Sequence, residues 1–333
     1  MRIPKKILIF ELNWLGDILF SFPFLRAVRQ AFPRARIICA VVPRYKDLLI
    51  NVPWIDGIRI LADKNGVLSL CEKIEFIRTI RKEKYDACFL LKPSKTKTIM
   101  ARLAGIPDCY SGRNNERFLT RQSHRADTLL GLVKDAGVRV SDNTYEYFIS
   151  EKDKQEADKI LYAEGEGRRV IVVNVGGNWP AKRWPLDRFT ELIKRLLDRF
   201  EDVEVALSGA KKDIEVTEKI KSEVDDKRCY SLAGKTTLNE LAAVFQKSSL
   251  MISADSGPLH LASAAGNPII GLFGPTSREI TGPRGKGRNI IIQKEIDCEI
   301  PCYIESCEKD YLCMRSITVN EVFAAAEESL RKK

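Results

Sequence analysis

Short apolar runs alternate with amphipathic stretches along almost the whole chain. Continuous apolar runs of about four to eight residues suit strands buried on both faces, and apolar positions three and four apart suit helices packed on one side. On this basis Lys6–Phe10, Arg36–Val42, Ile58–Leu61 and Ala87–Leu91 are predicted strands, with helices over Ile18–Phe32 and Leu68–Lys82. The polar stretch from Ser150 to Arg169 reads as a helix and then a linker. A second series follows, with strands at Val170–Val175, Val203–Leu207, Leu250–Ser253 and Ile269–Phe273. Its helices are Leu186–Phe200, Leu238–Gln246, Pro258–Ala265 and a final amphipathic Val319–Lys332. The alternation predicts an α/β protein of two consecutive doubly wound parallel-sheet units. The expected organisation is a first domain over 1–160, a second over 168–316 and a terminal helix over 317–333. Two such units leave a cleft between them, and ligands bind beyond the carboxyl ends of the strands. The loops after Phe10, Val175, Leu207, Ser253 and Phe273 are therefore the candidate sites.

Composition narrows the class. With 333 residues, 44% hydrophobic and 30% charged, and a mean hydropathy of −0.19, the chain is long enough to bury real cores without disulfides. A disordered tail, a small disulfide scaffold and an integral membrane protein are excluded, the last because nothing approaches the roughly 18 uncharged apolar residues of a spanning helix. Met1 to Leu25 is basic and then apolar, like a signal peptide, but Glu11, Asn13 and Asp17 interrupt it and no small-x-small cleavage site follows. It reads as a buried strand and loop, and with no N-x-S/T acceptor the expected location is cytoplasmic.

Lysine and arginine outnumber aspartate and glutamate by 55 to 45, a formal charge of +10 that favours anionic partners. Without basic low-complexity blocks or RNA-binding aromatic motifs, nucleic acid is the weakest of these. Of the nine cysteines, Cys39, Cys71, Cys88, Cys109 and Cys229 are expected mostly as small buried hydrophobes. Cys298, Cys302, Cys307 and Cys313 cluster without the C-x2-C knuckle usual in zinc sites. They read first as a structural loop, with a metal or cluster site and a redox role as alternatives.

Several common chemistries are missing. There is no G-x-G-x-x-G; Cys229 stands where the first glycine of a P-loop ending at Gly234-Lys235-Thr236 would be; and there is no G-x-S-x-G. His124 and His260 are the only histidines, which nearly excludes histidine triads, and no Asp-x-Asp is available to hold a metal on a nucleotide diphosphate. Four strand-end loops remain. Glu11-Leu-Asn-Trp-Leu-Gly16-Asp17 offers a carboxylate that is either a simple helix N-cap or a general base. Gly176-Gly177-Asn178 leads to Lys182 and Arg183, exposed amides followed by two cations, which suits a phosphate, or else forms a charged surface turn. Trp184 reads as a packing anchor. Ser208-Gly209-Ala210-Lys211-Lys212-Asp213 places an acid at a helix start, as a cap or a ribose ligand. Asp255-Ser256-Gly257-Pro258-Leu-His260 enters a helix with groups that would converge on an anion. Gly274-Pro275-Thr276-Ser277 is a similar, weaker candidate.

These residues, in this order, resemble the ADP-heptose:lipopolysaccharide heptosyltransferases, glycosyltransferase family 9. The resemblance rests on Trp14-Leu-Gly16-Asp17 with Pro23, then Pro180-Ala-Lys182-Arg183-Trp184-Pro185 and Leu232-Ala-Gly234, then Asp255-Ser256-Gly257-Pro-Leu-His260 and Gly274-Pro275-Thr276. The Pro-Ala-Lys-Arg-Trp-Pro string and the cysteine-rich stretch ending Cys313-Met314-Arg315 are most similar to the heptosyltransferase II subgroup, which adds the second core heptose. The resemblance implies a GT-B fold, two Rossmann-like domains facing a central cleft, the first binding acceptor and the second the nucleotide sugar. It implies an inverting, metal-independent transfer of heptose from ADP-heptose to the inner core of lipopolysaccharide, with no cofactor beyond the donor. Asp17 aligns with the family's base. Lys182, Gly176, Gly177 and Asn178 align with the diphosphate loop, and Asp255, Ser256, Gly257 and His260 with a second phosphate-side loop. Asp213, with Glu215 as its rival, aligns with the acid near the adenosine ribose. Lys92, Lys95, Lys97, Arg113 and Arg117 are candidate contacts to acidic groups of the acceptor, Lys95 and Arg113 foremost. A basic first domain suits peripheral attachment to the cytoplasmic face of the inner membrane. The alternatives are a family 9 transferase with another sugar or a protein acceptor, a non-catalytic nucleotide-binding module, and a nucleic-acid binder.

Overall fold

The computed structural model describes residues 3–61, 67–112, 123–135, 137–138, 140, 142–161, 167–177, 179–304 and 306–331. The chain divides into two compact units, Met1–Tyr145 and Glu146–Lys333.

Unit 1 is built on five parallel strands: β1 (Lys6–Phe10), β2 (Arg36–Val41), β3 (Gly57–Ile60), β4 (Ala87–Leu90) and β5 (Asp108–Ser111). Their order is β3-β2-β1-β4-β5. The register sets Leu8 opposite both Ile38 and Cys88, so the central strand is covered on each side. The connecting helices are α1 (Leu15–Ala31), α2 (Val67–Glu83), α3 (Lys95–Leu103) and α4 (Arg125–Asp135). Helix α1 starts three residues before the predicted Ile18, because Trp14 takes the extended N-cap conformation and Asp17 falls inside the first turn. A carboxylate is favourable there against the helix dipole. Leu8, Phe10, Ile38, Phe76, Ile80, Leu90 and Met100 belong to a buried cluster on this sheet.

Unit 2 begins with α5 (Glu151–Leu161). Its six strands are β6 (Arg169–Asn174), β7 (Val203–Ser208), β8 (Cys229–Ser231), β9 (Leu250–Ala254), β10 (Ile269–Phe273) and β11 (Asn289–Gln293). They are all parallel and run β11-β10-β9-β6-β7-β8. The strand order therefore reverses between β6 and β9, the point at which doubly wound sheets bind ligands. Helix α6 (Leu186–Arg199) shows why these helices dock: Phe189, Leu192, Ile193, Leu196 and Leu197 form one buried stripe at helical spacing. Helix α7 covers Ile214–Val224 and α8 Leu238–Lys247. The latter opens on a reciprocal capping box between Thr237 and Glu240. Helix α9 (Gly257–Ala264) ends before Gly266, whose φ of +86° is a left-handed value open to glycine without strain. Helix α10 (Val319–Arg331) closes the core with Val322, Ala326 and Leu330.

Among the described residues, no helix is long and apolar enough to cross a membrane. The five scattered cysteines are mostly buried, as expected, with two exceptions. Cys39, Cys88 and Cys229 are buried, but Cys71 and Cys109 are exposed. Cys109 lies on β5, the edge strand of this sheet among the described residues.

Candidate functional site

The two strands flanking the reversal point of unit 2 deliver the phosphate-type loops. After β6 the chain runs through Val175, Gly176 and Gly177 to a short 3-10 turn over Pro180–Lys182. Trp184 fixes the end of this segment. It is 1% exposed, packs edge-on against Phe189 with ring centroids 4.9 Å apart, and donates from Nε1 to Ile317 O at 3.0 Å. Trp184→Phe keeps an aromatic ring but loses that bond and leaves a void. It is expected to lower stability by about 2 kcal/mol, read as a fall in urea midpoint at constant m-value.

The 3-10 turn aims Lys182 at the loop after β9. Lys182 Nζ lies 2.6 Å from Asp255 Oδ2, while His260 Nε2 lies 3.1 Å from Asp255 Oδ1. One carboxylate thus ties a cation from the β6 loop to an imidazole on α9. Asp255 is 5% exposed. Burial works to raise its pKa, but the hydrogen bond from His260 and the charge of Lys182 outweigh burial and hold it well below the usual carboxylate range. The Lys182 ammonium also stands 5.6 Å from the centre of the Trp179 ring, which stacks on Tyr303.

Beneath this group lies a polar network absent from the sequence reading. Asn174, the last residue of β6, donates from Nδ2 to Ser253 Oγ and Gly176 O, both at 3.1 Å, and to Ser256 Oγ at 3.4 Å. Ser253 and Ser256 hydroxyls are 3.0 Å apart. Ser256 is the N-cap residue of α9 yet its side chain makes no capping bond, being engaged with Asn174 and Ser253 instead. Gly257 forms the first helical position. An asparagine closing an apolar strand was the available signal for the hub. It is 2% exposed, and burying an amide is costly unless its bonds are made.

Asp213 is turned toward its own loop, where its Oδ2 accepts from Ala210 N at 2.9 Å and makes no cap to α7. A Cβ on Gly176 would come within 2.6 Å of that same oxygen, so the β6 and β7 loops touch here and a larger residue would have to displace the Asp213 side chain. Gly177 O accepts from Arg183 Nη2 at 2.9 Å. The Thr276 hydroxyl oxygen is buried without a hydrogen-bond partner among the described residues. Asn178 lies outside the described residues.

In unit 1, Asp17 is partly exposed in the first turn of α1, directly beyond β1. Arg44 lies with its guanidinium 5.6 Å from the Trp14 ring centre. Lys95 is exposed at the start of α3, and Lys97 Nζ donates to Glu11 O at 2.8 Å. Lys92 is exposed, and Arg113 and Arg117 lie outside the described residues. His124 is buried, its Nδ1 accepting from Ala126 N.

The four clustered cysteines line one cavity of about 320 Å³ together with Ala181, Gly274 and Pro275. Among the described residues no three histidine, cysteine or acidic side chains are placed to hold a metal ion.

The profile of glycosyltransferase family 9 (heptosyltransferase) matches residues 74–312. The chain belongs to this family. It is therefore a glycosyltransferase of the heptosyltransferase group. Lipopolysaccharide heptosyltransferase 2 of Escherichia coli (strain K12) is 27% identical over 308 residues, covering 86% of this chain and 87% of that protein. In three dimensions the glycosyl transferase family 9 protein of Veillonella parvula DSM 2008 matches with a TM-score of 0.85 at 24% identity, over 100% of this chain and 99% of that one. The E. coli ADP-heptose LPS heptosyltransferase II matches with a TM-score of 0.80 at 23% identity, over 98% and 99%. The family 9 chain thus has the GT-B fold of these heptosyltransferases.

Proposed function

We propose that this enzyme transfers heptose from ADP-heptose to the inner core of lipopolysaccharide, in the manner of a heptosyltransferase II. The observation that carries the reading is the Lys182–Asp255–His260 group at the strand-order reversal of unit 2. Its supports are family membership and a relative named for lipopolysaccharide heptose transfer.

The chemistry follows from charge. As the bond between the anomeric carbon and the diphosphate breaks, negative charge grows on the leaving ADP. A fixed cation and the N-terminus of α9 stabilise it without reorganisation at the moment of reaction. Lys182 meets the diphosphate, with backbone amides around Gly176, Gly177, Asn178 and Gly257 and the hydroxyl of Ser256. Asp255 repels phosphate; its part is to hold Lys182 and His260 in place. Asp213 and its loop lie on the ribose side. Asp17 takes the proton from an acceptor hydroxyl, and that oxygen forms the new bond to the anomeric carbon with inversion. Positive potential comes from side chains and helix dipole, so this mechanism uses no metal. Residues 1–160 bind the acceptor, with Lys95 a contact to its acidic groups, and 168–316 bind the ADP-sugar. A basic enzyme with a lipid-linked acceptor works at the cytoplasmic face of the inner membrane.

Thermal stability measured with ADP, UDP, GDP and CMP in metal-free buffer tests the donor. ADP at 100 times its dissociation constant is expected to stabilise the enzyme by about 2.7 kcal/mol, selectively over the others. A preference for UDP or GDP would discard heptose as the donor sugar.

A further inference from the structure

The loop from β1 into α1 rests on a buried acid that the mechanism above does not use. Glu11 directly follows β1 and is 1% exposed. Its main chain is fixed on two sides: Glu11 N donates to Ala40 O at 2.9 Å, and Lys97 Nζ donates to Glu11 O at 2.8 Å. Its carboxyl group accepts from Leu12 N through Oε2 at 3.2 Å and lies 3.0 Å from Ser21 Oγ through Oε1. Ser21 is fully buried on α1, four positions beyond Asp17, and its Oγ is also 2.7 Å from Ile18 O.

A serine hydroxyl carries one proton. With Glu11 ionised, Ser21 has two acceptors and can serve only one. With Glu11 protonated, the acid donates to Ser21 Oγ, Ser21 donates to Ile18 O, and every group in the chain of bonds is satisfied. Few charges oppose that state. Lys97 on α3 favours ionisation; Cys39 on β2 is a thiol that burial, and then Glu11, push up; Arg44 binds Asn13 O of the same loop; Asp17 lies on α1. Burial outweighs the bonds from Leu12 and Ser21 and the charge of Lys97, and raises the carboxyl group to about 7.

We propose that Glu11 is a positioning residue for the transfer reaction, whose neutral form locks the Leu12–Trp14 loop to α1 through Ser21 and so fixes Asp17 against the acceptor. This rests on the assignment of Asp17 as the base. Ionisation of Glu11 takes the Ser21 proton from Ile18 O, loosens the turn that carries Asp17, and slows transfer as pH rises.

The test compares wild type, Glu11→Gln, Glu11→Ala and Asp17→Asn in transfer from ADP-heptose to lipopolysaccharide bearing a single core heptose. Profiles are taken between about pH 6 and about pH 9, a window that brackets the ionisation. Glutamine imitates the neutral acid, because its amide donates to Ser21 Oγ and its carbonyl accepts from Leu12 N. Wild-type kcat/KM for the acceptor is expected to fall about fivefold across the window, one hydrogen bond's worth. Glu11→Gln is expected to stay flat there, and Glu11→Ala to be slower at every pH with ADP affinity retained. An alkaline fall in Glu11→Gln equal to that of wild type overturns the proposal. Infrared difference spectra give a readout independent of turnover and of whether Glu11→Ala folds. A protonated-carboxyl band that titrates in wild type and is missing from Glu11→Gln supports the proposal, and its absence from wild type at the acid end overturns it. Wild-type turnover by Asp17→Asn would remove the reading beneath the proposal. An inactive Asp17→Asn beside an unaltered Glu11→Gln profile would remove the proposal alone.

Discussion

Asp17→Asn is expected to lower the rate of heptose transfer by about a thousandfold, in the middle of the range for loss of a general base, while ADP binds as before. The two halves of that expectation come from different units. Asp17 stands in the first turn of α1 in unit 1, and every residue assigned to the diphosphate lies in unit 2. Asparagine keeps the size and polarity of the side chain but cannot accept the acceptor's proton. Initial rates of transfer together with calorimetric titration of ADP check the result. Unchanged turnover would remove Asp17 from the mechanism, and a parallel loss of ADP affinity would show a disturbed fold.

Asp255→Asn is expected to cost about 3 kcal/mol of stability, the scale for breaking a buried ion pair, and to weaken ADP binding as well. The substitution leaves Lys182 and His260 facing a neutral amide, so the cation loses the anchor that aims it. Denaturant unfolding and ADP titration read the two effects. The pH dependence has a definite sign. The Asp255 carboxyl is held below its unfolded value, near 3.9 for a free aspartate, so its contribution is complete above that value. It is lost as pH falls through the depressed folded-state pKa. The stability difference between wild type and Asp255→Asn should therefore be constant across neutral pH and close only in strong acid.

Much of this architecture is legible in the residues. Strands β1, β6, β9 and β10 are unbroken apolar runs because both faces of a central parallel strand are covered, and they fall within a residue or so of their predicted limits. Strand β5, Asp-Cys-Tyr-Ser, gives no such signal, since an edge strand tolerates polar residues. Strand β8 is three residues long, too short for a period to show. Strand β11 has three isoleucines between polar ends and stands at the edge of its sheet, so its apolar run is too short to announce a strand. At the site, Lys182, Asp255 and His260 were readable as residue types beside strand ends, whereas the sharing of one carboxylate between two partners depends on which strands are neighbours. The Asn174 hub was hidden for the same reason: its partners Ser253 and Ser256 lie on the far side of the strand-order reversal.

The buried core of unit 2 reaches across the sequence. Trp184, which holds the Lys182 segment, bonds to Ile317, and the same core takes in Met314, Val322, Ala326 and Leu330. On the ribosome, where domains fold in order of synthesis, the five described strands of unit 1 exist before residue 112 has been added. Trp184 can pack on Phe189 early, but its bond to Ile317 and the part of the core supplied by Val322, Ala326 and Leu330 wait until the end of synthesis. A chain cut short before residue 317 would therefore carry the Lys182 loop without the Trp184 bond that anchors its end.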